Sequence, residues 1–67
     1  MLEIIDEWDF NGYKILTLND NTPNINYRKY LINDEVYDPV TVYDMGNCVV
    51  AIKDPGKSLK GGLIEFI

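Results

Sequence analysis

The chain has 67 residues, 11 of them acidic and 6 basic, with no His and a single Cys. One Cys closes no internal disulfide. Without His there is neither a His/Cys zinc site nor histidine base catalysis, so no metal and no cofactor are expected.

A chain of this length makes one small domain, residues 1–67. Size scaling gives roughly 4,300 Å² of folded surface against about 11,000 Å² unfolded, so about 60% is buried. That is marginal for a chain without staples, and self-association is a common remedy. A hydrophobic share of 46% and a charged share of 25% are those of a folded protein. No run approaches about 18 apolar residues, as a membrane helix requires. The start, Met1 to Glu7, is acidic where a signal peptide carries positive charge. With a lone thiol, a cytoplasmic location is expected. Enrichment in Ile, Asn, Asp and Tyr points to an AT-rich gene of bacterial or phage type.

Turn signals recur at Asn11-Gly12, Asn19 to Asn24, Asn33-Asp34, Asp44 to Asn47 and Asp54-Pro55-Gly56. Short runs rich in Ile, Val, Tyr and Thr separate them, which predicts an all-β domain with little or no helix. In chain order, Leu2 to Trp8 has the pattern of a helical turn but is too short to stand alone as a helix. Asn11-Gly12 predicts a type I′ hairpin pairing Phe10 with Tyr13, Asp9 with Lys14, Trp8 with Ile15 and Ile5 with Leu18. Trp8, Phe10, Tyr13 and Ile15 then share a face that reads as core, and Asp9 meets Lys14 on the opposite face.

A second hairpin about Asn33-Asp34 pairs Leu31 with Val36, Tyr27 with Val40 and Ile25 with Val42 on one face. Lys29 falls opposite Asp38, and Pro39 marks an edge or bend. The other face of that hairpin holds Tyr30 opposite Tyr37 and Ile32 opposite Glu35, with Arg28 near Pro39. Cys48 to Ile52 is apolar on both sides, as in a central strand or a closed structure. Lys53 to Lys60 reads as a loop and Leu63 to Ile67 as a last strand. The expected architecture is a small antiparallel barrel or roll of five to six strands, of SH3-like or OB-like size.

Candidate chemistry is sparse. The run from Ala51 to Ser58 echoes a phosphate loop, but Gly61 and Gly62 oppose the helix that must follow. A Pro-Gly turn explains it better. Glu7, Asp9, Asn11 and Gly12 echo a calcium loop, yet Leu18 stands where the bidentate Glu belongs. Cys48 sits in an apolar strand with no His to activate it and reads as an inert buried thiol. Asp6 and Glu7 are the nearest thing to an acid–base pair, in a chain too small for an ordinary substrate pocket. No catalytic residue is assigned, and an enzyme is not expected.

Two surfaces stand out. Tyr30, Tyr37 and Arg28, with Tyr43, Val50 and Ile52 placed one strand further on, make a face too apolar to stay wet in a monomer. Either the sheet closes over it or it meets a partner, so Arg28, Tyr30, Tyr37 and Tyr43 are the interface candidates. Lys53, Lys57 and Lys60 give one loop a positive character and are the weaker, phosphate-contacting candidates. A sequence pI near 4.3 argues against a general nucleic-acid binder. The leading expectation is a small acidic, non-enzymatic protein that contacts another protein, as an inhibitor or adaptor of mobile-element type, with homo-oligomer formation open. The alternative is a module that binds single-stranded nucleic acid or a small ligand through the 53–60 loop and exposed Tyr.

Overall fold

The computed structural model describes residues 2–22, 29–40 and 46–67. Among them are six strands and no helix: β1 (Leu2–Phe10), β2 (Tyr13–Leu18), β3 (Tyr30–Ile32), β4 (Glu35–Tyr37), β5 (Val49–Lys53) and β6 (Leu63–Phe66). They form one antiparallel sheet in the order β4-β3-β6-β1-β2-β5. Leu2 to Trp8 is therefore strand, because its backbone pairs on both sides. Leu2 and Glu3 meet β6, and Ile4 to Phe10 meet β2.

Both short turns follow from their residues. Asn11 at φ 50° and Gly12 at φ 84° make the left-handed pair that a type I′ turn needs. Asn33 at φ 49° and Asp34 at φ 67° repeat it without a glycine. The second hairpin pairs Leu31 with Val36, Tyr30 with Tyr37 and Ile32 with Glu35, as its turn predicts. An ion pair joins Lys29 to Asp38 beyond the strand ends. The expected pairs involving Ile25, Tyr27 and Val42 lie outside the described residues. Val40 also bridges Ala51 of β5, donating its N–H to the Ala51 carbonyl at 3.2 Å.

The first hairpin keeps its predicted pairs only as far as Trp8 opposite Ile15. Beyond them the register slips between Ile4 and Asp6, so Leu18 pairs with Ile4 and not with Ile5. Ile5 is the extra residue of a β-bulge, and a bulge reverses which alternate side chains face inward. Leu2 and Ile4 face the core before it; Glu7 and Asp9 take that side after it. The expected core face of Trp8, Phe10, Tyr13 and Ile15 is thereby corrected. Trp8, Phe10 and Tyr13 stand 54%, 48% and 38% exposed on the outer face, while Ile15 on the same face is buried.

The buried cluster comprises Ile4, Leu16, Leu18, Tyr30, Ile32, Val50, Ile52, Leu59 and Ile64, with Leu2, Tyr37 and Phe66 packed against it. Val50 and Ile52 share this core with Tyr30 and Ile32, but not from an adjacent strand. Three strands separate β3 from β5 in the sheet order. The expected central strand, Cys48 to Ile52, stands at the end of that order as Val49–Lys53, joined on its far side, among the described residues, by the Val40 bridge. It is still apolar on both sides for good reason: Val50 and Ile52 enter the core, and Ala51 is buried on the opposite face.

Candidate functional site

Register places nine outer-face residues in three rows across β1, β2 and β5. They are Asp6–Thr17–Val49, Trp8–Ile15–Ala51 and Phe10–Tyr13–Lys53. The middle row is anchored, since Ile15 is 2% and Ala51 0% exposed. Around it stand the exposed aromatics. Trp8 meets Phe10 edge to face, with ring centroids 6.0 Å apart and planes at 65°. Tyr13 is the cross-strand neighbour of both Phe10 and Lys53. The result is an apolar corner with an exposed carboxylate, Asp6, at one end and an exposed ammonium, Lys53, diagonally opposite.

The inner face of the same hairpin carries charge of a different kind. Lys14 is a buried charged side chain, and its Nζ lies 3.1 Å from Asp9 Oδ1 and 3.4 Å from Glu7 Oε2. Glu7 Oε1 accepts hydrogen bonds from the backbone N–H groups of Leu59 and Lys60, both at 2.6 Å. Burial acts to raise the Glu7 carboxyl. The bonds from Leu59, Ser58 and Lys60 and the Lys14 charge outweigh it and hold the carboxyl below its ordinary 4.5. Burial acts to lower Lys14, yet Asp9 and Glu7 hold it above 10.5. Glu7 thus pins the 58–61 turn to the hairpin and is not free for acid–base work. Asp6, its sequence neighbour, faces the other way.

The loop's geometry favours the turn over the phosphate-loop reading. The amides of Leu59 and Lys60, just past the motif, are bound to a carboxylate inside the chain. The Gly56 N–H is bonded to Asp54 Oδ1 at 2.9 Å, and Gly56 has φ 77°, so Pro55-Gly56 is a turn. A strand, β6, follows it where a phosphate loop needs a helix.

Of the expected interface residues, Tyr30 belongs to the core and is 3% exposed, with its ring edge to face against Phe66 at 5.3 Å. Tyr37 is half-buried and donates its hydroxyl to Glu35 Oε2 at 3.3 Å; burial and the Glu35 charge raise its phenol. Arg28 and Tyr43 lie outside the described residues. The three candidate lysines do not act together. Lys57 is paired with Glu35, whose carboxyl it lowers. Lys60 is exposed beside the Glu7 pin, and Lys53 alone borders the aromatics.

Cys48 is half-buried rather than buried and precedes β5, where its Sγ donates to Asn21 Oδ1 at 3.1 Å. A shallow groove of about 220 Å³ lies elsewhere, lined by Leu31, Asn33, Asp34, Leu63 and Glu65. Among the described residues no group of three or more His, Cys, Asp or Glu is placed to hold a metal ion. Nor is any helix there long and apolar enough to cross a membrane. Comparison with family models, with curated proteins and with solved structures finds no match to this chain.

Proposed function

We propose that the chain is a non-enzymatic binding domain that works through protein–protein contacts, and that Trp8, Phe10 and Tyr13 are the centre of its contact surface. One observation carries the reading: three aromatic side chains stand together in water on one face of a rigid hairpin. Trp and Tyr dominate the energetic centres of protein interfaces, because they bury large rigid area at little entropic cost. Such a surface is what an inhibitor or adaptor that acts by contact with another protein needs. The sheet is read here as a small closed roll. The Val40–Ala51 bridge and the core shared by β3 and β5 support that closure.

The alternative, single-stranded nucleic acid stacked on the aromatics, draws support from Lys53 beside Tyr13. The described residues form no cationic track beside the aromatics. Lys14, Lys29 and Lys57 are spent on carboxylates, and Asp6 occupies the same face as Trp8. A photo-crosslinking residue in place of Phe10, expressed in the source cells, is expected to yield protein adducts, with none from the same residue at Glu65. Nucleic-acid adducts, with an affinity falling steeply as salt rises, would overturn the protein reading.

A further inference from the structure

The aromatic face is self-complementary, and from this we infer that its partner is a second copy of the chain. The inference rests on the protein-contact reading above and adds the occupant. A two-fold axis lying in the face can run along the strands, across them or at about 45° to them. Along the strands, it sets Asp6 over Val49 and Phe10 over Lys53. Across the strands, it sets Asp6 over Phe10. Either choice buries a charge against an apolar group, which costs free energy. Of the two diagonals at 45°, the one through Asp6 and Lys53 sets each of these charges over its own equivalent; the other sets Asp6 of each copy over Lys53 of the other, Trp8 over Tyr13, and Phe10 over its own equivalent. These are the positions fixed by the three rows of the β1, β2 and β5 ladders. The strands of the two copies then cross near 90°, one of the two ordinary ways for sheets to pack.

Both charges are available for this. Asp6 and Lys53 are exposed, and neither has a carboxylate or ammonium partner within its own chain among the described residues. A two-fold interface requires such self-complementarity, residue i on j and j on i. The ring of aromatics around buried Ile15 supplies the apolar centre, and two Asp6–Lys53 pairs at the rim fix the angle. Pairing would also cover Trp8, Phe10 and Tyr13, which the fold leaves exposed.

Charge exchange tests the geometry. Sedimentation equilibrium, from about 1 μM to about 1 mM to span weak to moderate affinities, is run on wild type, D6K, K53E, the double variant D6K/K53E and an equimolar mixture of the two single variants. Circular dichroism checks that each is folded. Wild type is expected to dimerise. Each single variant, placing like charges face to face, is expected to weaken the dimer at least tenfold. The mixture and the double variant, which restore opposite charges, are expected to recover it. A mixture no more dimeric than its components would overturn the inference. So would a wild type that is monomeric throughout the range. If such a monomer still crosslinks through Phe10 to another protein, the second copy alone is excluded and the protein-contact reading stands.

Discussion

Glu7 is the residue on which most of the hairpin's inner face depends. It receives two backbone N–H groups from a turn more than fifty positions away and faces a buried Lys14. Replacing it by Gln keeps the shape but leaves Lys14 with Asp9 alone, a partner that is largely in water. Bonds to charged groups contribute about 1.5–3 kcal/mol each, and the loss is expected near 2–3 kcal/mol. The pH dependence follows from the direction of the Glu7 shift. Its carboxyl is held below 4.5 in the folded chain, so its stabilisation is complete above that value and is lost as pH falls through the folded value. Chemical denaturation of Glu7→Gln should show lower stability at neutral pH and a flatter fall towards acid than wild type. An unchanged acid profile would refute the pin.

At the scale of elements, the two hairpin turns were legible because positive φ is scarce and Asn, Asp and Gly are the residues that accept it. The second turn is the less comfortable of the two. Asp34 sits at φ 67°, and among the described residues no ion pair of its side chain compensates. Asp34→Gly is expected to stabilise the chain by about 0.5–1 kcal/mol, the relief of left-handed strain less the extra entropy glycine gives the unfolded chain. A thermal midpoint raised by roughly 2–8 °C would express that gain in a domain of this size; a fall would mean that the turn depends on Asp.

The bulge at Ile5 was not legible. Ile4-Ile5 offers two equivalent apolar side chains, and local pattern cannot say which enters the core. The answer comes from β6, which pairs with Leu2 and Glu3 and so fixes the first half of β1 independently of β2. Aromatic content then misled, since Trp8 and Phe10 look more like core than Glu7 and Asp9 do. Lys14 is buried because it sits between Leu16 and the acidic pair, something only the third strand, with Ile52 opposite, makes plain. The Tyr30–Tyr37 pairing was read correctly from its turn. Which way that pair faces depended on β6 lying beside β3, and no short-range signal marks a connection from residue 32 to residue 64.

For the whole molecule, the measure of the apolar surplus is the surface it exposes. The chain folds to 4559 Å² of surface, close to the scaling value, so it does not fail to bury its core. Among the described residues, the large apolar side chains it leaves outside are Ile5, Trp8, Phe10 and Tyr13 on the first hairpin, with Val36, Leu63 and Ile67 elsewhere. The acidic balance is likewise organised: Glu7 and Asp9 turn inward to Lys14, and Asp6 turns outward beside Trp8.

Trp8 is the chain's sole tryptophan, and its fluorescence reports directly on the outward turn made at Ile5. At high dilution its emission should lie at the red, water-exposed end and acrylamide should quench it almost as freely as it quenches a free indole. On concentration the emission should move to the blue and the quenching should diminish as the two copies meet. Emission that is blue and protected at a dilution where sedimentation shows a monomer would place Trp8 inside the fold and contradict the account at its centre.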